Sequence, residues 1–562
     1  MKFADISYTR ADFDAAARFY ASAAERLSAA GSFEEAEAVF LEVEDFSAKF
    51  DTALTVANIR HDIDTRDEFY DAEVAYIDEH APELEEYVQR WQDALLRTPY
   101  RAAFEEKYNR VMFLNAEIDA RTFSPEIVPE LQRENALTTE YSKLLAGAQI
   151  PFEGGVYTLS QLTPIKQDAD ASRRAAAWAA EDAWYAEHAE SLDAIYAELV
   201  TLRDKMGRKL GHDGYIPLGY DRLGRNCYGP EQVAAFREQI ARDMVPIVAQ
   251  VKKDQEKRLG VDKLKFYDDI LLFPDGNADP YGTPEEILAA GHQMYRELSG
   301  ETAEFADFLF DNGLLDVLSK DGKAPGGYCT TFPNYQAPFI FSNFNGTSGD
   351  VDVLTHEAGH AFAFFRSMRK GYPASQVEAT IEACEVHSMA MEFLTAPWHE
   401  KFFGDRTRKY EIGHCEDALI FIPYGCMVDE FQHLIYENPH WTPAQRNKKW
   451  LELERKYRPW IDFADLPFYG RGAGWQRQLH IYLYPLYYID YCMAQTVAFQ
   501  FWIASMANRE DAWARYLRFA DAGGTKTFEE LVAAAGLKLP YAPGCIREIG
   551  QAISRWISEN NL

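Results

Sequence analysis

Cysteine is sparse in this chain and never paired along the sequence. Seven cysteines are scattered singly over 562 residues, and no two of them form a CxxC motif. An odd number of isolated cysteines argues against a disulfide framework and against a zinc cluster held by thiolates. A metal ion bound by this protein would therefore have to be held by histidine and carboxylate side chains.

Long apolar runs and basic residues are also scarce. No segment approaches the roughly 18 uninterrupted apolar residues of a membrane span, and the N-terminal MKFADISYTRADFD lacks the apolar core of a secretion signal. The chain has 57 Lys and Arg against 89 Asp and Glu, a formal net charge of −32 at pH 7. Such a charge repels nucleic-acid phosphates and anionic lipids. We expect a cytoplasmic protein without a nucleic-acid or membrane partner.

Helical periodicity dominates the sequence. Apolar residues recur at spacings of three and four, which predicts helices over 11–30, 33–50, 65–96, 168–210, 230–259, 284–298 and 442–457. Gly31 and Pro82 are expected to interrupt the early helices, and Gly211 to end the one or two helices within 168–210. Strands are a minor component, with candidates at 266–273 and within 326–344. The sequence predicts a mainly α protein with a helical N-terminal domain over 1–165 and a second domain over 166–562.

Histidine is scarce too, with 13 in the chain, yet two of them lie four residues apart in DVLTHEAGHAFAFF, residues 352–365. An apolar stripe predicts a helix through this segment; its members are Val351, Leu354, Ala358, Ala361 and Phe365. The spacing then places His356 and His360 on one face, where both can bind one zinc ion with Glu357 beside them. The alternative is a buried helix with two hydrogen-bonded histidines, but the rarity of a chance match favours the metal site.

A catalytic zinc site needs a third protein ligand, and the next helical segment is rich in carboxylates. The stretch VEATIEACEVHSMAMEF, residues 377–393, places Glu382, Glu385 and Glu392 on one face. A solvated acidic face is the ordinary interpretation of such a pattern. Apolar residues surround this face, however, and carboxylates in apolar surroundings require a partner. The segment therefore offers candidate metal ligands.

Together, the two segments resemble the zinc metallopeptidases of family M3, which include thimet oligopeptidase, neurolysin and oligoendopeptidase F. The HExGH and E-x-x-S-x-x-x-E patterns of this family are matched by His356, Glu357, Gly359 and His360, and by Glu385, Ser388 and Glu392. The resemblance implies one zinc ion per chain, bound by His356, His360 and Glu385, with Glu357 as the general base. Glu392 is then a supporting acidic residue.

The resemblance covers most of the chain from about residue 168 onward and favours the oligoendopeptidase F-like branch. The segment FYGRGAGWQRQLHIYLYPLYYIDY, residues 468–491, resembles the family's glycine-rich loop and the following histidine and tyrosines, which donate hydrogen bonds to the tetrahedral intermediate. These roles best match His480, Tyr484 and Tyr491, with Tyr488 next. For most of the tyrosines, aromatic core packing is the alternative. His387 stands where the family has a small residue or proline.

The resemblance also implies a fold and an activity. The fold is a large helical two-lobed peptidase around a deep substrate channel, with a small β-sheet beside the zinc helix and the catalytic domain at 166–562. The activity is zinc-dependent hydrolysis of internal bonds in short peptides. A metallocarboxypeptidase that shares HExGH and a catalytically silent peptide-binding scaffold stay open as alternatives. A bound peptide is expected to add to the edge of the strand at 337–344.

Overall fold

The structure is a computed structural model that describes residues 2–320, 322–324 and 326–560. It is 72% helical, which confirms the prediction of a mainly α protein. The α-helices are α1 Phe13–Ala29, α2 Phe33–Ile63, α3 Glu68–Leu96, α4 Arg101–Lys107, α5 Val111–Asp119, α6 Val128–Ala146, α7 Leu159–Lys166, α8 Ala171–Lys209, α9 Tyr215–Arg222, α10 Pro230–Gln239, α11 Val245–Leu259, α12 Pro284–Leu298, α13 Gly300–Asp311, α14 Gly349–Met368, α15 Ile381–Leu394, α16 Glu400–Phe403, α17 Thr407–Glu437, α18 Pro443–Tyr457, α19 Pro467–Gly470, α20 Leu479–Leu483, α21 Tyr488–Ala507, α22 Arg509–Ala520, α23 Phe528–Ala534 and α24 Cys545–Asn560. No helix in the described part of the chain combines the length and the apolar character that crossing a membrane requires.

Within the described residues, five short strands form two sheets. Strands β1 Ile150–Phe152 and β2 Gly155–Tyr157 make an antiparallel hairpin. Strands β3 Leu315–Leu318, β4 Tyr328–Phe332 and β5 Ala337–Phe344 make a sheet of order β3-β5-β4, in which β5 is parallel to β3 and antiparallel to β4. The strands predicted within 326–344 are confirmed. Because β5 is paired on both sides, the expectation that a peptide adds to the edge of this strand is wrong.

The prediction of a strand at 266–273 is also wrong. Phe266–Asp268 is a 3-10 turn, and the apolar residues after it follow an irregular path. Side chains of α11 bind the backbone there, since Gln255 Nε2 donates to the carbonyl of Leu271 at 2.8 Å and Arg258 Nε donates to the carbonyl of Leu272 at 2.6 Å. These donors satisfy carbonyl groups that a neighbouring strand would otherwise have to bind.

The long helices depart from the sequence prediction at three points. Helix α2 continues to Ile63, well beyond the predicted end at residue 50. Helix α3 continues through Pro82 rather than stopping there, with buried apolar residues on both sides, including Ile77 and Leu84. A π-helical turn at Ile240–Met244 separates α10 from α11 within the segment predicted as one helix. Helix α8 is a single helix of 39 residues, and Gly211 follows it with a φ of +85°, as expected for a glycine that ends a helix.

Spatial contacts divide the described residues into two compact units, and each unit draws on three sequence segments. The first unit comprises 2–120, 279–407 and 497–539, and it contains the three-stranded sheet with α14 and α15. The second unit comprises 121–278, 408–496 and 540–560, and it contains α8 and the glycine-rich segment before α20. The sequence boundary at 165/166 stays a prediction of the domain organisation.

Helix α14, which carries the HExGH motif, is fixed by its packing. The predicted apolar stripe is buried along its whole length, at Val351, Leu354, Ala358, Ala361 and Phe365. The helix packs against β5 and β4 and against α15. The carboxylate of Asp350 accepts the N–H groups of Asn345 at 2.8 Å and Gly346 at 2.7 Å, which ties the loop after β5 to the start of α14. The motif side chains therefore project from a rigid element.

Candidate metal and catalytic site

The two helices that carry the predicted metal ligands, α14 and α15, approach each other closely at Gly359. A Cβ atom at this position would lie 2.6 Å from the carbonyl oxygen of His387 and 2.6 Å from Cα of Ser388. Backbone atoms cannot move aside as the end of a flexible side chain can, so only glycine permits this separation. The HExGH motif includes this glycine, but the sequence alone does not show why glycine is required there.

His356, His360 and Glu385 converge in the structure. Glu385 Oε2 lies 3.4 Å from His356 Nε2 and 3.6 Å from His360 Nε2. One ligand atom from each of the three residues lies within 4.8 Å of the other two. Two imidazole nitrogens and a carboxylate oxygen facing a common point are a typical donor set for zinc. The chemistry and convergence of these donors therefore fit a zinc ion.

Two further residues of α15 orient these side chains. His356 Nδ1 lies 2.7 Å from Glu392 Oε1, which leaves Nε2 facing Glu385. Ser388 Oγ donates at 3.2 Å to Glu385 Oε2 and at 3.0 Å to the carbonyl oxygen of the same residue. A carboxylate bonded to a metal-binding histidine fixes its tautomer and ring orientation and strengthens it as a ligand. This contact gives a physical reason for the second glutamate of the E-x-x-S-x-x-x-E pattern.

Glu392→Gln is expected to weaken zinc binding by about 10- to 100-fold, because a neutral amide polarises His356 less than a carboxylate does. Competition between the metal-free protein and a chelator of known zinc affinity measures the change. Glu400→Gln, the same replacement at an exposed position in α16, is the matched control and should bind zinc as the unmodified protein does. An unchanged affinity in Glu392→Gln would contradict the orienting role.

Burial and neighbouring charges shift the proton affinities of the motif. Burial is the main cause that raises the pKa of Glu357 to about 7. The charge of His356 lowers this pKa, and the charges of Glu385 and Glu392 raise it. Burial lowers the pKa of His360 to about 4. Burial also opposes protonation of His356, but its hydrogen bonds with Glu385 and Glu392 outweigh this effect and raise its pKa well above the ordinary value. Metal binding at His356 therefore has to displace a proton.

His387 lies on α15 but is not one of the three clustered residues. Its side chain is buried, neither ring nitrogen has a hydrogen-bond partner, and its ring packs edge-on against Phe519 with the centroids 5.3 Å apart. Burial lowers the pKa of His387 to about 3, so the ring is neutral near pH 7. The residue is part of the packing behind the site.

The C-terminal aromatic segment belongs to the second unit, and it gathers four tyrosines around His480. The ring centroid of His480 lies 4.9 Å from that of Tyr488, 5.9 Å from that of Tyr491, and 6.0 Å from those of Tyr484 and Tyr487. Tyr484 is the most open of the group, with 56% of its surface exposed. The three residues predicted from the sequence, His480, Tyr484 and Tyr491, therefore lie in one cluster, and the roles of all of them stay predictions.

A short chain of hydrogen bonds positions His480. Gln478 Nε2 lies 3.0 Å from His480 Nδ1, and Gln478 Oε1 accepts a hydrogen bond of 2.7 Å from the hydroxyl of Tyr424. The sequence did not point to Gln478 or Tyr424. Tyr424 lies on α17, far from His480 along the chain, and no spacing rule connects them.

The turn between α20 and α21 is held in an unusual conformation. Leu486 is fully buried and has a φ of +68°, a left-handed backbone that costs a non-glycine residue about 1–3 kcal/mol. Its N–H donates to Gln432 Oε1 at 2.9 Å, and its carbonyl accepts from Arg225 Nη2 at 2.6 Å. These bonds fix the turn, and with it the tyrosines on either side.

Comparison with known proteins extends the similarity along the chain. The family model described as Peptidase M3 N-terminal domain matches residues 3–123, and that described as Peptidase family M3 matches residues 165–551. The chain is 26% identical over 322 residues to Group B oligopeptidase PepB of Streptococcus agalactiae, a match that covers 56% of this chain and 52% of that protein. It is 21% identical over 334 residues to the chromosomal oligoendopeptidase F of Lactococcus lactis, covering 55% and 51% respectively. The chain thus spans about half the length of these curated relatives.

A solved structure extends the agreement to nearly the whole chain. The structure of PZ peptidase A with inhibitor 2 superposes with a TM-score of 0.93 and is 44% identical in sequence, over 99% of each chain. The second family model spans the HExGH helix, the glutamate helix and the His480 segment. On these matches, the chain belongs to peptidase family M3, in its oligoendopeptidase F-like branch.

Proposed function

We propose that this protein is a zinc-dependent endopeptidase that hydrolyses internal peptide bonds of short oligopeptides. The observation that carries the proposal is the convergence of His356, His360 and Glu385, with Glu357 on the same helix as the two histidines. Family membership and the oligopeptidase names of the relatives support the reaction class. A substrate channel, a catalytic domain at 166–562 and a cytoplasmic location belong to the same proposal.

The side chains divide the chemistry among them. His356, His360 and Glu385 would hold one zinc ion, while Glu392 and Ser388 keep the ligands oriented. A bound zinc ion supplies a Lewis acid that makes water a nucleophile near neutral pH. Glu357 accepts the proton of the attacking water and delivers it to the departing amine, which is general base and then general acid catalysis by one carboxylate.

The proposed reaction also needs hydrogen-bond donors. Attack on a peptide carbonyl places negative charge on oxygen, and a positioned donor that stabilises this charge is typically worth about 10²- to 10³-fold in rate. We assign this role to His480, Tyr484 and Tyr491, with Tyr488 as the next candidate because its ring is the nearest of the four to His480. The buried turn at Leu486 keeps these groups in place before substrate binds.

The test is cleavage of a short internally quenched peptide that is blocked at both ends. We expect cleavage at an internal bond, loss of cleavage after chelation, and recovery when zinc is added. A metallocarboxypeptidase would leave the blocked peptide intact but release residues from the same peptide with a free C-terminus. A silent scaffold would bind the peptide and cleave neither form. Either of these two results would overturn the endopeptidase proposal.

A further inference from the structure

The second unit contains a cavity of about 340 Å³, and seven of the sixteen residues in its wall are aromatic. The aromatic wall residues are Trp178, Phe266, Phe421, Tyr424, Trp450, Tyr469 and Tyr488. Ligand sites in proteins are typically apolar hollows of this order, with a few polar groups that fix orientation. The volume suits one large side chain or the end of a peptide.

Two wall residues connect the cavity to His480. Gln478 bonds to Nδ1 of His480 at 3.0 Å, and the ring centroid of Tyr488 lies 4.9 Å from that of His480. Tyr424, a third wall residue, donates to Gln478 at 2.7 Å. A group bound in the cavity would therefore lie beside residues to which we assign oxyanion stabilisation.

The two arginines of the wall differ in their pairing. Arg458 makes two hydrogen bonds to Glu454, of 2.6 Å and 2.8 Å. Arg477 makes one ion pair among the described residues, a long contact of 4.0 Å with Glu181. Its hydrogen bond to the hydroxyl of Tyr469 is also long, at 3.4 Å. Arg477 therefore keeps most of its donor capacity available.

Glu181 is the carboxylate that faces Arg477, but Arg477 shares it with Lys166 and Tyr469. It is bound by Lys166 Nζ and by the hydroxyl of Tyr469 at 2.7 Å. The Arg477 guanidinium lies over the ring of Trp178, with 5.3 Å from Cζ to the ring centroid, and 35% of the side chain is exposed. Glu181 is outside the wall, whose acidic residues are Glu454, Asp417 and Asp269. Glu454 pairs with Arg458, and Asp269 pairs with Lys252 at 2.7 Å.

We propose that this cavity binds the C-terminal residue of a peptide, with its carboxylate on Arg477 and an aromatic side chain against the wall. The inference rests on the proposed peptidase function. A planar guanidinium held against an indole ring presents paired N–H donors that match a carboxylate. An aromatic side chain on the C-terminal residue of the peptide would pack against the aromatic residues of the wall, which an acidic side chain would not do.

The first experiment compares two peptides that end in phenylalanine, one as the free acid and one as the amide, cleaved by the zinc-loaded full chain. We expect kcat/KM to favour the free acid by about tenfold or more, mainly through KM, because hydrogen bonds between charged groups contribute this much to binding. In Arg477→Gln the acid-to-amide ratio should fall to about one. Arg471→Gln, the same replacement at an exposed position six residues earlier, should keep the ratio of the unmodified protein.

The second experiment measures binding without turnover. Calorimetry of acetyl-Leu-Phe, as free acid and as amide, on the metal-free protein should show the same preference and the same loss in Arg477→Gln. Preferential binding without any cleavage would uphold this site while overturning the proposed function. Equal binding of acid and amide would overturn the site. An amidated peptide ending in glutamate provides the third arm, because binding as tight as that of the free acid would assign the carboxylate to a side chain and overturn the C-terminal assignment.

Discussion

Replacement of Glu357 by glutamine is expected to lower kcat by about 10²- to 10⁴-fold, the usual contribution of a positioned general base. Glutamine has nearly the same shape but cannot accept the water proton. Glu357 is only 8% exposed, and its carboxyl is already raised to a pKa of about 7 by burial, so a neutral amide should fit without destabilising the helix. Turnover of the quenched peptide and zinc content should be measured on the same preparation.

The zinc content separates catalysis from metal binding. Glu357→Gln should retain one zinc ion per chain with an affinity close to that of the unmodified protein, because Glu357 lies outside the three-residue cluster. Glu400→Gln serves again as the exposed control and should keep both zinc and activity. If Glu357→Gln lost its zinc together with its activity, the residue would have a structural role and the assignment as general base would fail.

Gly359→Ala is expected to lower activity by about 10²-fold, the cost of displacing a catalytic group by about 1 Å. The added methyl group would lie 2.6 Å from two backbone atoms of α15, so α14 and α15 have to separate. Alanine gains about 1 kcal/mol of helix propensity over glycine, but overpacking of this kind costs about 1–3 kcal/mol. The clash therefore outweighs the gain, and Glu385 moves away from the histidines.

A second glycine gives the matched control for this change. In Gly300→Ala the new Cβ, at the start of α13, meets no atom within 4 Å. This variant should be as stable as the unmodified protein or slightly more stable, with full activity. Thermal unfolding, zinc affinity and turnover should be compared in both variants. Retention of zinc affinity and activity in Gly359→Ala would contradict the view that this glycine sets the helix separation.

The sequence predicted helix α14 well because the information that specifies it is local. Two periodic features of one helix carry this information. The apolar stripe from Val351 to Phe365 is buried in the structure, and His356 and His360 lie together with Glu385. The long helix α8 and its terminal Gly211 follow from the same kind of pattern.

Features that depend on packing between distant segments could not be predicted from the sequence. Periodicity could not show that β5 is the central strand, because its partners are set by tertiary pairing. The apolar run at 266–273 has the composition of a strand, but side-chain donors from α11 bind its carbonyl groups in place of a neighbouring strand. Gln478 and Arg477 could not be identified from the sequence either, because their proposed roles depend on contacts with side chains that are distant along the chain.

The most direct test of the central claim is a zinc titration of the metal-free protein, with cleavage of the quenched peptide followed at each addition. We predict that activity is absent without metal, rises in proportion to added zinc, and saturates at one zinc ion per chain. Glu385→Gln, which removes the charge of the third ligand, should need far more zinc to reach any activity. Full activity in the metal-free protein, or the same titration curve in Glu385→Gln, would contradict a catalytic zinc site formed by His356, His360 and Glu385.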